Sequence, residues 1–105
     1  MKSKIVFSPK SLKDLDDIYT YISEELQNPI AANNTINKIL DSVDLLQEQP
    51  ESGKMLTFLS GMNSGYRFVI AGNYMVFYRH IGNIVYVDRV IYGRRDYMKI
   101  LFPNI

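Results

Sequence analysis

Residues 66–92 read YRFVIAGNYMVFYRHIGNIVYVDRVIY, and this stretch decides the fold class. It holds three runs rich in aromatic and β-branched residues, at 66–70, 74–79 and 84–92, and each run has the character of a β-strand. The breaks between the runs, Ala-Gly-Asn and Ile-Gly-Asn, carry the turn residues that join antiparallel neighbours. The sequence therefore predicts a three-stranded antiparallel meander in the C-terminal half of the chain.

Two amphipathic helices are predicted before this meander. Ser8-Pro9 and Asn28-Pro29 each combine a capping side chain with a proline at the first helical position. Apolar residues then recur at spacings of three and four, so that each helix has one apolar face. These residues are Leu12, Leu15, Ile18, Ile22 and Leu26 in the first helix and Ala32, Ile36, Ile39, Leu40, Val43 and Leu46 in the second. Because few residues separate the helices, we expect an antiparallel helical hairpin.

The predicted fold class is α+β. Residues 4–8 have the pattern of a short strand, and residues 54–59 are compatible with another. The order is therefore an N-terminal strand, the helical hairpin and the meander, with the helices covering one face of the sheet in two layers. No repeat or linker divides the chain, so we expect a single domain that spans residues 1–105.

Composition excludes several kinds of functional site. The chain has no cysteine, which rules out disulfides, a thiolate nucleophile and cysteine-based zinc sites. His80 is the single histidine, so we expect a partly exposed turn residue and neither a metal site nor a cofactor. No run approaches the roughly 20 apolar residues of a membrane span. With a formal charge of +1, the protein is expected to be soluble and cytoplasmic and not a general polycation.

The remaining candidates for chemistry are arginines and tyrosines of the β half. Arginine binds phosphate through two parallel hydrogen bonds, and tyrosine stacks on bases or donates a proton. The alternative is that these side chains serve only solubility and packing. Strand alternation alone does not decide which arginines share a face. One register groups Arg67 with Arg89 on one face of the sheet and Arg79 with Asp88 on the other, and a slip of one residue changes this grouping.

The order of motifs along nearly the whole chain resembles the RelE/ParE superfamily of bacterial toxins, which belong to type II toxin–antitoxin pairs. The stretch FSPKSLKDLDDIYTYI at 7–22 is similar to the family's aromatic-x-Pro opening and its Asp-Leu-x-x-Ile helix. The pattern LxxxPxxG follows at 46–53, and Arg67 precedes a strand that begins and ends with tyrosine, 74–78. The pattern Arg-Val-x-x-Gly-x-Arg-Asp closes the match at 89–96.

The resemblance implies one of two activities. RelE-like members cut messenger RNA on the ribosome with lysines and arginines of the sheet and a late tyrosine, whereas ParE-like members poison DNA gyrase. In this chain the position of the strand arginine falls on Met75, and residues 64–67 hold no lysine where lysines are expected. The position of the family's late tyrosine corresponds to a residue near Leu101, although Tyr97 lies one helical turn earlier. Of the family's catalytic residues, only Arg95 has a clear counterpart in this chain. The resemblance therefore favours a ParE-like gyrase poison.

Each activity implies its own site. A gyrase poison has no catalytic residue and would contact its target through Arg94, Arg95, Asp96 and Tyr97. A ribosome-dependent mRNA endoribonuclease, which needs no metal, would use Arg67, Arg95 and Tyr97. A purely structural role, in which Asp96 pairs with Arg94 or another arginine and fixes the chain reversal, is compatible with both.

The resemblance also implies a partner. Such toxins are neutralised by a small antitoxin and function in plasmid stabilisation or growth inhibition, so we expect a toxin–antitoxin hetero-oligomer. The tail residues Ile100, Leu101, Phe102 and Ile105 are candidates for the antitoxin contact if they remain exposed. The alternative is that this tail packs back on its own sheet.

Overall fold

The computed structural model describes residues 2–104, so Ile105 lies outside the described residues. The elements, in chain order, are β1 (Lys4–Phe7), α1 (Pro9–Thr20), a π-helical turn (Tyr21–Glu25), α2 (Pro29–Asp44), a 3₁₀ turn (Leu45–Gln47), β2 (Lys54–Thr57), β3 (Asn63–Ala71), β4 (Tyr74–Ile81), β5 (Ile84–Tyr92) and α3 (Tyr97–Leu101).

The strands form one mixed sheet in the order β1-β5-β4-β3-β2. β3, β4 and β5 are the predicted antiparallel meander, while β1 joins β5 in parallel and β2 pairs with β3. Each meander turn has two residues, and its glycine comes first with a positive φ, +62° at Gly72 and +60° at Gly82. A positive φ at the first of two loop positions is typical of a type II′ turn, whose twist matches that of the flanking strands. The α+β fold is as predicted.

A β-bulge between β4 and β5 decides which arginines share a face. Tyr78 pairs with Val87 and Phe77 pairs with Arg89, so Asp88 is the extra residue. Arg89 therefore lies opposite Phe77, on the sheet face that points away from α1 and α2. Arg67 lies opposite Tyr78, on the face that the helices cover. The register that groups Arg67 with Arg89 is not the one observed, because the bulge adds one residue to β5 between Val87 and Arg89.

Both sheet faces are covered, but unequally. The main core lies between the helical hairpin and the sheet, where the largest fully buried side chains include Ile39, Val43, Leu46, Val76 and Tyr78. On the opposite face, here called the open face, the short helix α3 packs over a smaller cluster consisting of Leu56, Met75, Phe77 and Ile91. The tail thus packs back on its own sheet, which was one of the two alternatives for it.

The predicted helix starts are confirmed by their caps. The Ser8 hydroxyl accepts a hydrogen bond from the Ser11 N–H at 3.0 Å, and the Asn28 side-chain oxygen accepts one from the Ala31 N–H at 3.1 Å. The end of the first helix differs from the expected regular helix through Leu26. It widens into the π-helical turn, and Gln27 then takes φ +51°, the one positive φ of a non-glycine residue within 2–104.

Candidate functional site

An ion pair joins α1 to β5 at the sheet edge that the short β1 leaves open. Asp14 accepts hydrogen bonds from Arg89 Nε at 2.8 Å, from Arg89 Nη2 at 3.0 Å and from the Val90 N–H at 2.9 Å. Both side chains are mostly buried, and this hydrogen bonding raises the pKa of Arg89. Arg89 is therefore held by the first helix, and its charge is balanced by Asp14.

A second ion pair lies on the open face at the bulge. Arg79 Nε donates to Asp88 Oδ2 at 2.6 Å, and the Arg79 guanidinium lies 5.2 Å from the centre of the Tyr86 ring. The hydrogen bond to Asp88 raises the pKa of Arg79. Tyr66 borders the same group, and its pKa is raised by burial first and by the Asp88 carboxylate second. The charges of Arg79 and Asp88 therefore balance each other within this group of side chains.

Arg67 has a structural role on the helix-covered face. Its Nη1 donates to the backbone oxygens of Glu51 at 3.2 Å and Gly53 at 3.0 Å, and the Gly53 N–H donates to the hydroxyl of Tyr78 at 2.9 Å. Burial raises the pKa of this Tyr78 hydroxyl, while the hydrogen bond from Gly53 partly opposes the shift. Together these side chains hold the loop between α2 and β2 against the sheet.

Three residues in and after the turn that follows β5 have structural roles. The Gly93 N–H donates to the Asn73 backbone oxygen at 2.8 Å, and a Cβ at Gly93 would stand 3.3 Å from that oxygen. The Asp96 carboxylate accepts from the Lys99 N–H at 3.3 Å and so caps α3, in place of the proposed pairing with an arginine. Tyr97 packs on Phe77 with ring centres 5.4 Å apart.

Arg94 and Arg95 are both exposed, as are Gly93 and Asp96 of the same turn. Within residues 2–104 neither arginine forms an ion pair or a side-chain hydrogen bond. The four predicted target-binding residues are therefore adjacent in sequence, and the two arginines are the charged ones among them whose side chains have no partner within the described residues.

The three residues of the alternative catalytic set are not brought together. Arg67 lies on the helix-covered face and Tyr97 on the open face, so the sheet separates them. Met75, at the position of the family's strand arginine, is buried in the apolar cluster beneath α3.

The predicted antitoxin-binding tail is half-buried. Ile100, Leu101 and Phe102 pack against the open-face cluster, and the Phe102 ring lies 4.9 Å from that of Phe58. Phe58, Leu59 and Met98 join Phe102 in a shallow apolar cleft of about 500 Å³ beside the tail. Leu59 is fully exposed at its rim.

A larger cleft of about 830 Å³ opens between the helical hairpin and the end of the sheet. We call it the tyrosine cleft, and its walls include Asp17, Tyr21, Leu26, Tyr74, Tyr92 and Arg95. The rings of Tyr74 and Tyr92 meet edge to face with centres 5.6 Å apart. Burial raises the pKa of Tyr74, and the hydroxyls of Tyr92 and Tyr21 add to the shift.

Residues 2–104 contain no group of three or more acidic or histidine side chains arranged to hold a metal ion. No helix among these residues is both long and apolar enough to cross a membrane. His80 is mostly buried on the helix-covered face, where its Nδ1 lies 3.7 Å from a Glu51 carboxylate oxygen.

Sequence comparison identifies the family of this fold. The family model described as the ParE toxin of the type II toxin–antitoxin system, parDE, matches residues 5–97 of the 105. The chain belongs to the ParE toxin family. It is the toxin component of a type II toxin–antitoxin system. No curated protein sequence matches the chain significantly.

Solved structures share the ParE-type fold. The chromosomal ParDE toxin–antitoxin system from P. aeruginosa aligns with TM-score 0.72 at 20% identity, covering 87% of this chain and 96% of the other. The RelBE2 toxin–antitoxin complex from Mycobacterium tuberculosis gives 0.62 at 18% identity, with 88% and 99% covered. A YoeB/ParE toxin from Agrobacterium tumefaciens gives 0.55 at 18% identity, with 85% and 96% covered. At sequence identities of 18–20%, this structural similarity supports a shared fold and nothing further.

Sequence reasoning missed the tyrosine cleft. Tyr74 and Tyr92 lie at the ends of predicted strands, and packing was one of the open alternatives for the tyrosines of the β half, while Tyr21 lies off the apolar stripe of the first helix. The sequence signal that could have indicated the cleft is Tyr21, an aromatic side chain that lies outside the apolar face of the first helix.

Proposed function

We propose that this ParE-family toxin inhibits growth by binding and poisoning DNA gyrase in the cytoplasm, without catalytic chemistry of its own. The observation that carries the proposal is which arginines already have hydrogen-bond or ion-pair partners within the fold. Arg67, Arg79 and Arg89 are used by the fold, and the two arginines without partners in the described chain, Arg94 and Arg95, lie side by side at the end of the sheet.

This arrangement suits a binding toxin better than a nuclease. Metal-independent cleavage of RNA needs several cationic and proton-transferring groups around one phosphate. Here the candidate groups Arg67 and Tyr97 are on opposite faces of the sheet, and the open face beneath α3 is apolar. Arginine is instead one of the residue types enriched at the energetic centre of protein–protein contacts.

We further propose that an antitoxin binds this toxin in a hetero-oligomer. The solved relatives from P. aeruginosa and M. tuberculosis are described as a toxin–antitoxin system and complex. Phe102, Phe58 and the exposed Leu59 form an apolar surface that an antitoxin segment would bury, and Ile100 and Leu101 lie beside it.

The test compares gyrase supercoiling and cleavage-complex formation with ribosome-programmed mRNA cleavage, using the purified toxin and Arg94→Ala, Arg95→Ala and Lys4→Ala variants. Lys4→Ala removes the same charge at the far end of β5, because Lys4 pairs with Ile84. That position is about 26 Å from Tyr92, at about 3.3 Å per residue. We expect gyrase inhibition that weakens about tenfold or more in each arginine variant and less than about twofold in the control.

Addition of the antitoxin should restore supercoiling by the toxin-treated gyrase. Cleavage of ribosome-bound mRNA without gyrase inhibition would refute the proposal. Equal potency of Arg95→Ala and wild type would show that the arginines are not the contact.

A further inference from the structure

A third cation, Lys38 of α2, lies at the end of the sheet that carries Arg94 and Arg95. A Cβ built on Gly72, in the turn between β3 and β4, would stand 3.4 Å from Lys38 Cδ and 3.8 Å from Lys38 Nζ. The lysine side chain therefore lies along this turn, and its ammonium group is held at the end of the sheet. Lys38 is exposed, and within residues 2–104 it forms no ion pair.

Lys38 and the two arginines belong to one continuous surface. A small cleft of about 170 Å³ beside Lys38 is lined in part by Thr35 and Asn73. These two residues also line the tyrosine cleft, whose wall includes Arg95. The hydrogen bond from the Gly93 N–H to the Asn73 backbone oxygen joins the turn of the two arginines to the turn beneath Lys38. We call this surface the basic end, and it consists of Asn34, Thr35, Lys38, Asn73, Arg94 and Arg95.

The unbalanced charge at the basic end is positive. Both carboxylates of the adjoining tyrosine cleft are paired, Asp14 with Arg89 and Asp17 with Lys13. Among the described residues, no carboxylate lines the small cleft beside Lys38. The lysine and the two exposed arginines are therefore three neighbouring cations without an acidic partner in the described chain, although the formal charge of the whole protein is only +1.

The residue types at the basic end fit a phosphate backbone better than a protein surface. Lysine is depleted at protein–protein interfaces, whose centres are apolar. Contacts to DNA phosphates come instead from lysine and arginine and from the hydroxyl and amide groups of residues such as threonine and asparagine. Lys38 has Asn34, Thr35 and Asn73 beside it, and both asparagines are exposed. The basic end therefore combines cations and hydrogen-bonding groups of the kind that bind phosphates.

We propose that the basic end contacts the phosphate backbone of the DNA that gyrase holds, with Lys38 and Asn73 extending the contact of the two arginines onto the DNA. This inference rests on the proposed function and deepens it, because the toxin would bind the gyrase–DNA complex more tightly than gyrase alone. Each phosphate that a cation neutralises releases condensed counterions, so the added affinity must weaken as the salt concentration rises.

The test measures the affinity of fluorescently labelled toxin for gyrase alone and for gyrase with linear duplex DNA, at several salt concentrations. Lys38→Gln removes the charge from the basic end, and Lys38→Arg retains it. Lys4→Gln is the matched control, because Lys4 pairs with Ile84 at the opposite end of the sheet. Thermal melting of each variant checks that it is folded.

We expect DNA to raise the affinity of gyrase for the wild-type toxin. Lys38→Gln should lower the affinity for the gyrase–DNA complex about fivefold at about 0.15 M salt, since one phosphate contact contributes a factor equal to the salt concentration raised to a power of about −0.9. The plot of log affinity against log salt concentration should become shallower by about 0.9. Lys38→Arg and Lys4→Gln should stay within about twofold of the wild type, and so should Lys38→Gln with gyrase alone.

Four other outcomes would overturn the inference. Equal losses of Lys38→Gln with and without DNA would assign the lysine to an acidic segment of gyrase. Equal affinities of Lys38→Gln and Lys4→Gln for the gyrase–DNA complex would show that Lys38 makes no contact. A wild type that binds gyrase equally with and without DNA would refute this inference alone. A wild type that binds gyrase under neither condition would refute the gyrase proposal and this inference with it.

Discussion

Replacing Gly53 with alanine should destabilise this toxin strongly, although the change adds a single methyl group. The new Cβ would stand 2.5 Å from the Tyr78 hydroxyl and 2.8 Å from the backbone oxygen of Phe68. Neither atom retreats easily, because Tyr78 is fully buried and Phe68 is paired within the sheet. Overpacking of this kind costs about 1–3 kcal/mol. Loss of the hydrogen bond between the Gly53 N–H and Tyr78 adds about 1 kcal/mol.

A total of about 3 kcal/mol is a large share of the free energy of unfolding of a typical domain, which is roughly 5–15 kcal/mol. For a chain of this length it should lower the melting temperature by about 12 °C, at about 4 °C per kcal/mol. Urea unfolding followed by far-ultraviolet circular dichroism measures the change in the free energy of unfolding. Gly93→Ala is the milder comparison, because its Cβ would stand 3.3 Å from the Asn73 backbone oxygen, a close contact but 0.8 Å longer than the clash at Gly53, and φ is not positive there.

A double-mutant cycle identifies the cause. Tyr78→Phe alone should destabilise by about 1–2 kcal/mol, because it leaves the Gly53 N–H without its partner. In the Gly53→Ala background the same change should cost less, since it also removes the closest clashing atom. Additive costs would contradict the crowding argument, as would a Gly53→Ala protein with the stability of Gly93→Ala.

Two further predictions concern stability. Asp14→Ala should lower the free energy of unfolding by about 2 kcal/mol, because Arg89 and the Val90 N–H lose their acceptor. The control Asp17→Ala breaks an exposed pair with Lys13 and should cost less than about 1 kcal/mol. Equal urea midpoints for the two variants would contradict this assignment. Stability should also fall as the pH rises above about 10, because the raised pKa values of Tyr66, Tyr74 and Tyr78 mean that the folded state keeps protons that the unfolded state releases. Urea midpoints measured from pH 8 to pH 11 test this, and Tyr78→Phe should show a shallower decline.

The parts of the fold that depend on local signals could be predicted from the sequence. Ser8-Pro9 and Asn28-Pro29 start helices because the cap and the proline act within one turn. The two Gly-Asn pairs determine hairpins for the same reason. The π-helical turn has no comparable signal, since the spacing of Ile18, Ile22 and Leu26 fits a regular helix equally well.

Features that depend on distant contacts could not be predicted. The bulge at Asp88 leaves no trace in an alternating strand sequence, yet it moves Arg89 to the open face. The resemblance to the superfamily pointed to motif residues but not to their partners in the fold. Asp14 and Arg89 belong to motifs 75 residues apart, and only the fold shows that they bond to each other.

The pairing of motif residues changes how loss of activity should be interpreted in this protein. Asp14 of the helix motif binds Arg89 of the closing motif, and Gly53 of the exit motif binds Tyr78 of the strand motif. These residues build the scaffold, so their substitution should reduce toxicity by unfolding the protein rather than by removing a target contact. The residues that contact the target must then lie outside these pairs. Arg94 and Arg95 have no partners within the described residues, so we expect them to be the first residues to test for that contact.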